Sequence, residues 1–350
     1  MPCGAVQIMT TSSVPRRSVL RILTVAAALA GCATPALDAM APGAAAFAAA
    51  PQTYSLTIRH LDRGGSSTGA YDTTVTGISG PGAGETVHPH DASGTTTVRL
   101  PKGRYLLDSY LTTGNTADGT DWVVQPRLDL DRDTTVTVDA RTTAPVDVRP
   151  PDRSAAFLHG MMVTEVKHGG TTRLINRMIA TPSLRVAHLG PDAEPGAVKQ
   201  WYDAYWTTKS ADYALGYVFT GPRALTGLTR HPSAKDLATV QVRGGARPGT
   251  TGSATVDLEP SAGPTAGLTG RLTVPGTATY FVTPERGTWD ITYWAPTTPG
   301  APAKRYNADN ITVRAGTTTT RTFDNAPISP ARTGQPFTAP APAGTSTRRT

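Results

Sequence analysis

Cysteine is almost absent from this chain, since Cys3 and Cys32 are the only two among 350 residues. Both lie in or before a segment that resembles an export signal, so the exported part has no intramolecular disulfide. Its stability must therefore come from the burial of side chains. The sequence also has neither a CxxC pair nor a glycine-rich phosphate loop, and we predict no cofactor.

Long apolar runs are missing as well. The most hydrophobic segment runs from Ile22 to Leu29, and an apolar stretch of about a dozen residues or fewer is too short to span a bilayer. This excludes a transmembrane helix at the N-terminus.

An export signal is present instead, and we assign it to residues 1–50. Arg16 and Arg17 precede the apolar segment, which is typical of twin-arginine export, and Leu29-Ala30-Gly31-Cys32 closes it as a lipobox. Lipidation of Cys32 would make the protein a cell-surface lipoprotein whose only membrane contact is the anchor. The competing cleavage site, Ala46-Phe47-Ala48, would instead release a freely secreted protein.

Charge of one sign is not concentrated anywhere. Lysine and arginine number 33 against 26 acidic residues, and loss of the three signal arginines lowers the formal net charge from +7 to +4. The cations are scattered among threonines, which indicates a solvated surface and no nucleic-acid partner.

The remaining sequence alternates between apolar and polar residues with a turn signal about every ten residues, the pattern of an all-β protein. We predict two consecutive antiparallel β-sandwich domains of prealbumin-like or immunoglobulin-like type, at 51–149 and 150–325, and a disordered Pro/Ala-rich tail at 326–350. The candidate strands of the first domain begin at Tyr54, Tyr71, Thr95, Arg104, Trp122 and Thr134.

The second half echoes the first. Leu100-Pro101-Lys102-Gly103-Arg104-Tyr105 corresponds to 283–289, and the threonine-rich stretch 131–139 corresponds to 314–322. Both halves thus end in a threonine-rich strand, which suggests two related sandwiches.

One stretch departs from the alternation. Between Glu194 and Thr208 the large residues recur at helical spacing, which predicts a short amphipathic helix in the second domain. Two interpretations remain open for this aromatic cluster: a stripe that packs on the sheet as core, or a platform on which sugar rings stack. Val198 shares the helical spacing, and the aromatic residues of the cluster are Trp201, Tyr202, Tyr205 and Trp206.

Metal ligands are sparse. His88 and His90 lie on one side of an extended segment, but no third ligand accompanies them, so they are weak candidates and we predict no metal site.

Three segments, 54–63, 100–105 and 124–141, resemble the C-terminal accessory region of large secreted subtilisin-like (S8 family) serine proteases of actinobacteria. Across 51–149 the similarity covers short contiguous segments. Across 150–325 it is weaker but follows the same order along the chain. The short element at 100–105 is also similar to sandwich domains of the Cna-B type.

The catalytic motifs of those proteases are missing. Gly344-Thr345-Ser346 continues into Thr347 and His159-Gly160 into Met161, so neither fragment has the partners that activate a serine. The resemblance therefore implies a non-catalytic binding or scaffold module whose partner is a cell-wall or extracellular polymer or a protein. The alternative is a secreted hydrolase or carbohydrate-binding protein with an unrecognised site.

Overall fold

The computed structural model describes residues 50–112, 119–245, 252–296 and 304–324. Within these ranges the regular structure is nearly all β-strand, and the helices are three 3-10 turns, Ala140–Thr142, Ala234–Asp236 and Pro284–Arg286. The all-β prediction is confirmed. None of the helices in the described ranges has the length and apolarity that a membrane crossing needs.

The strands fall into three successive groups of seven. The first group is β1 (Thr53–Leu61), β2 (Tyr71–Ser79), β3 (Thr86–Val87), β4 (Thr95–Pro101), β5 (Gly103–Thr112), β6 (Thr120–Leu130) and β7 (Thr134–Asp139). The second is β8 (Ala144–Val148), β9 (Ala156–His168), β10 (Thr171–Ile179), β11 (Leu184–His188), β12 (Val198–Thr207), β13 (Asp212–Gly221) and β14 (Leu228–Arg230). The third is β15 (Ala238–Gly244), β16 (Gly252–Pro260), β17 (Leu268–Val274), β18 (Gly276–Val282), β19 (Thr288–Trp294), β20 (Arg305–Thr312) and β21 (Thr318–Phe323).

Each group repeats one strand order, and we call each group a unit. In every unit the fourth, first and seventh strands lie side by side, and the third, second, fifth and sixth strands form a second row. The seventh strand pairs parallel with the first, as β7 does with β1 and β21 with β15. The threonine-rich strands that end both halves of the sequence therefore occupy equivalent places, one at the end of the first unit and one at the end of the third.

The units are joined by the same device. The sixth strand of one unit pairs parallel with the fourth strand of the next, as β6 does with β11 and β13 with β18. Each joint fuses a row of four strands and a row of three into one seven-stranded sheet. At the second joint Tyr213 stacks on Phe281 with ring centroids 5.0 Å apart.

Each unit has a hydrophobic core, and the cores share residues across the joints. The outer face of the first unit supplies Leu106, Trp122 and Val124 to the core of the second unit. Tyr205 and Ala214 of the second unit pack in turn into the core of the third. Neighbouring units thus bury part of their apolar surface against each other.

The sequence predicts two sandwiches, whereas the strand order contains the seven-strand unit three times. Strands β8, β11 and β14 form one row of the second unit, and they lie on both sides of the expected boundary at 149/150. The boundaries as limits of independent folding units stay a prediction.

The helix predicted between Glu194 and Thr208 is wrong, because Val198–Thr207 forms β12, a ten-residue strand. This strand lies between β9 and β13 in the interior of its sheet and is buried on both faces. A strand with two buried faces loses the polar–apolar alternation and shows a nearly continuous apolar run, which also matches helical spacing.

Candidate functional site

The aromatic cluster lies in the core. Trp201, Tyr202, Tyr205 and Trp206 are exposed by 6%, 3%, 0% and 8%. A stacking platform must present ring faces to solvent, so the platform interpretation is corrected and the core interpretation holds. Successive residues of β12 point to opposite faces of the sheet, and Tyr202 and Trp206 accordingly pack in the second core while Tyr205 packs in the third.

A loop covers the face of β12 that bears Trp201 and Tyr205. The Tyr205 hydroxyl lies 2.8 Å from Thr265 Oγ1, and His159 Nε2 lies 2.9 Å from the carbonyl oxygen of Gly267. A Cβ atom on Gly263 would stand 2.5 Å from Trp201 Nε1, so only glycine lets the loop approach the indole this closely.

Beneath this loop lies a buried ion pair. Asp203 and Arg286 are each 1% exposed in their side chains, with Arg286 Nε 3.1 Å from Asp203 Oδ1. Arg286 also donates from Nη2 to the carbonyl oxygen of Pro264. Burial raises the pKa of Asp203 to about 7, although the neighbouring guanidinium acts to lower it.

His88 and His90 do not converge on a metal site. His88 Nδ1 lies 3.3 Å from Thr74 Oγ1, and His90 Nε2 lies 3.0 Å from the carbonyl oxygen of Gly69. His90 also tilts against the ring of Tyr71. Among the described residues, no three histidine, cysteine or acidic side chains lie close enough to hold a metal ion.

A buried chain of hydroxyls ends on a third histidine. His60 Nδ1 lies 3.1 Å from the carbonyl oxygen of Gly94, which leaves Nε2 to accept from Thr73 Oγ1 at 2.7 Å. Thr73 Oγ1 lies 2.7 Å from Ser109 Oγ. Burial lowers the pKa of His60 to about 4, so the ring is neutral at physiological pH.

This chain resembles the start of a nucleophile–base relay, but it is closed to solvent. Ser109 and His60 are both 0% exposed, and the His60 ring is stacked on Tyr71 at a centroid distance of 3.5 Å. A substrate carbonyl cannot reach Ser109 Oγ without disrupting the core, so the arrangement stabilises the fold. Cys32 and the fragment 344–346 lie outside the described residues.

An open groove lies at the joint between the second and third units, and we call it the corner groove. It has a volume of about 550 Å³ and is bounded by the turn between β12 and β13, by β17 and by the start of β18. Seven of its lining residues are threonine or serine, and Leu158 adds an apolar side chain that is 42% exposed.

Two cations line the corner groove. Lys209 and Arg271 are exposed, and neither forms an ion pair with any residue that the structure describes. Asp212 lies beside them half-buried, and burial raises the pKa of its carboxyl group. The groove therefore favours anionic or hydroxyl-bearing groups over cationic ones.

Strand edges without partners face the same groove. Strand β13 pairs with β18 only along Tyr280–Val282, so within the described strands Gly276–Thr279 has no neighbour on that side. Strand β17 is the terminal strand of its own sheet. Backbone N–H and C=O groups at such edges can hydrogen-bond an extended ligand.

Sequence reasoning missed the corner groove. Its residues come from segments about sixty positions apart in the sequence. In addition, a threonine-rich strand indicates only that one face of the strand meets water. Two predicted turns, around Lys209 and Pro275, were the only local features that could have pointed to the groove. Polar residues interrupt the apolar pattern at both.

No family model and no curated protein matches this chain. Among solved structures it is similar to the Bacillus anthracis TIE protein, with 11% identity, coverage of 78% of this chain and 50% of that chain, and a TM-score of 0.19. The full-length major pilin SpaD of Corynebacterium diphtheriae matches with 11% identity, coverage of 78% and 97%, and a TM-score of 0.19. BcpA, the major pilin subunit of Bacillus cereus, matches with 9% identity, coverage of 78% and 99%, and a TM-score of 0.17. The chain thus spans half the length of the TIE protein, and TM-scores this low carry no argument about its fold or function.

Proposed function

We propose that the exported part of this protein is a non-catalytic binding and scaffold module, at the cell surface or in the medium. In this proposal the corner groove engages an extracellular polymer, such as a cell-wall polymer, or a protein. The observation that carries it is the combination, in one place, of an open groove, two exposed cations and free strand edges. Within the described residues the two cations, Lys209 and Arg271, form no ion pair, and the strand edges have no neighbour.

The arrangement of the three units supports a scaffold. Shared sheets and shared core residues hold the second and third units together at the joint where the groove lies. A groove formed by two units keeps its shape only while the joint is intact. This is the kind of rigid support on which binding loops depend.

Two observations support a role without catalysis. The hydroxyl chain from Ser109 to His60 is buried, so its hydrogen bonds serve the core. The sequence resembles the accessory region of secreted subtilisin-like proteases and lacks the motifs that would activate a serine. We propose that the chain is a relative of that region and works as a binding module.

Retention on insoluble polymers tests the proposed binding. The full chain is passed over peptidoglycan, chitin and an immobilised acidic protein, beside a Lys209→Ala/Arg271→Ala variant. We expect retention on at least one matrix and at least a tenfold loss in the variant, since charge at a binding surface controls capture. A Lys102→Ala/Arg243→Ala variant, which removes two exposed cations outside the groove, should be retained like the unmodified chain.

Equal retention of both variants would show that the corner groove is not the binding site. If no matrix retains the unmodified chain, the proposed binding function is wrong. The non-catalytic part has a separate readout. Incubation with a serine-directed fluorophosphonate should leave the chain unlabelled, and stoichiometric labelling of any serine would contradict it.

A further inference from the structure

The three units allow a direct comparison of equivalent strands, and one strand stands apart. The third strand of a unit always ends a row: β3 in the first unit, β10 in the second and β17 in the third. Strand β3 has 2 residues, and β17 exposes Thr269, Arg271 and Thr273. A very short edge strand, or a cation such as Arg271 on the edge, discourages pairing with the same strand of a second copy.

The outward face of strand β10 has neither protection. The strand is 9 residues long, and its outward positions are Thr172, Leu174, Asn176 and Met178, none of them charged. Leu174 is 54% exposed and Met178 is 56% exposed, and with Leu158 they are the exposed large hydrophobic residues of the described chain. A long edge strand whose outward face is uncharged and partly apolar is a surface for strand addition.

We propose that β10 pairs antiparallel with β10 of a second copy of this chain, about a two-fold axis that passes beside Asn176. The contact is isologous, because the same strand contributes from both molecules. It joins the two sheets that β10 now ends into one continuous sheet across the axis.

The side chains of β10 are complementary to themselves in this register. Leu174 of one copy faces Met178 of the other, which buries the two most exposed apolar side chains against each other. Asn176 faces Asn176, and an amide side chain has both a donor and an acceptor to offer.

The charges of β10 select the same register. With the axis at Asn176, Arg177 lies opposite Ile175. With the axis at Ile175, Arg173 would lie opposite Arg177, and like charges directly opposite each other destabilise a strand pair.

Pairing does not bury a lone charge, because the arginines already have partners within the molecule. Arg177 Nη2 lies 2.6 Å from Asp108 Oδ1, and Arg177 Nη1 lies 3.6 Å from Asp72 Oδ2. Arg173 Nε donates to the carbonyl oxygen of Gly77. Both side chains thus point toward the sheet that contains β2, away from the apolar face of β10.

Cysteine cross-linking tests the axis position. In the full chain with Cys3→Ser and Cys32→Ser, Asn176→Cys should form a disulfide-linked dimer under mild oxidation, since residues opposite each other have Cα atoms about 5 Å apart. Thr172→Cys is the matched control on the same face. In the proposed register the two copies of residue 172 are about 26 Å apart along the strands, so they should not cross-link.

Charge reversal tests the same contact without a cysteine. Light scattering on the full chain should show a dimer, and Asn176→Lys or Asn176→Glu alone should weaken dimerisation about a hundredfold by placing like charges face to face. An equal mixture of the two variants should restore the dimer. Far-UV circular dichroism confirms that each variant is folded, as expected for a substitution at an exposed position.

Three results would overturn the proposal. The first is an unmodified chain that stays monomeric at millimolar concentration. The second is equal cross-linking at residues 172 and 176. The third is a dimer that neither Asn176→Lys nor Asn176→Glu weakens, which would show that the copies meet elsewhere. None of these results bears on the corner groove, so the proposed function stands or falls separately.

Discussion

Arg286 Nε lies 3.1 Å from Asp203 Oδ1 in the protein interior, and neither side chain is more than 1% exposed. The pair links β12 of the second unit to the turn before β19 of the third unit, close to the joint. A Cβ atom on Gly216 would stand 2.4 Å from Asp203 Oδ1 and 2.5 Å from Arg286 Cγ, so the adjacent strand leaves space for the pair by having no side chain there.

We expect that breaking this ion pair destabilises the protein strongly. Asp203→Ala leaves Arg286 as an unpaired buried charge, which costs about 3–5 kcal/mol of the free energy of unfolding. The double variant Asp203→Ala/Arg286→Met should lose far less than the sum of the single variants Asp203→Ala and Arg286→Met, because no buried charge remains. Urea denaturation of the four proteins measures this coupling.

An exposed ion pair provides the control. Arg149 and Asp147 also form an ion pair, but their side chains are 69% and 31% exposed. Arg149→Ala should therefore cost less than about 1 kcal/mol. Strict additivity at Asp203 and Arg286 would show that the two charges do not interact.

We expect acid to weaken the fold through His60. The folded-state pKa of His60 is lowered to about 4 by burial, below its ordinary value of 6.5. The folded protein therefore binds fewer protons than the unfolded chain between these values, and the contribution of neutral His60 is lost as pH falls from 6.5 to 4. The loss is about 3 kcal/mol relative to a His60→Gln variant, whose side chain does not titrate.

The comparison with the variant isolates His60. The raised pKa of Asp203 gives the opposite slope, because there the folded protein binds more protons and stability falls as pH rises toward 7. That slope is present in both proteins and cancels in their difference. A His60→Gln variant with the same pH dependence of stability as the unmodified chain would contradict the assignment.

We expect that a cut at the predicted domain boundary does not release two folded domains. Strand β8 precedes the boundary, yet it pairs with β11 and β14 beyond it. After insertion of a specific protease site between Pro151 and Asp152 and cleavage there, the two fragments should co-elute on a sizing column and separate only in denaturant. Elution as two separate folded fragments would support division at 149/150 into independent sandwiches.

We expect Trp206 to matter for stability and not for binding. Its side chain is 8% exposed and meets Phe157 edge to face at 5.0 Å. Trp206→Ala should cost about 3–5 kcal/mol of unfolding free energy, while retention on polymer is unchanged at temperatures where the variant is folded. A loss of retention without a loss of stability would revive the stacking platform.

The export expectations have a direct chemical test. If Cys32 carries a lipid, a fatty-acid analogue should label the unmodified chain and not Cys32→Ser. Release of both proteins into the medium with an N-terminus near Ala49 would show that the downstream site is the one used.

Sequence alternation predicted the first residues of several strands of the first unit correctly. Alternation places strands at Tyr71, Thr95 and Thr134, and β2, β4 and β7 begin at those residues. One face of each of these strands meets a core and the other meets solvent or a polar layer. This is the condition under which alternation is visible.

The same reasoning failed where both faces of a strand are buried. Between Trp201 and Trp206 nearly every residue is apolar or aromatic, and periodicity alone does not distinguish a helix stripe from a central strand. The enrichment in tryptophan and tyrosine, which favour strands, was the better guide. The division of 150–325 into two units and the corner groove escaped detection for a related reason. Both depend on pairings between distant segments, which no local pattern encodes.

The transfer of Trp122 and its neighbours into the next core has a consequence for the evolution of such chains. If recombination separated the first unit from the second, Leu106, Trp122 and Val124 would be exposed to solvent. They would form an apolar patch that favours association with other molecules. A unit inserted from elsewhere would have to bring an apolar outer face of matching shape. The repeats are therefore alike in strand order but not interchangeable, and each place in the series constrains which sequences can fill it.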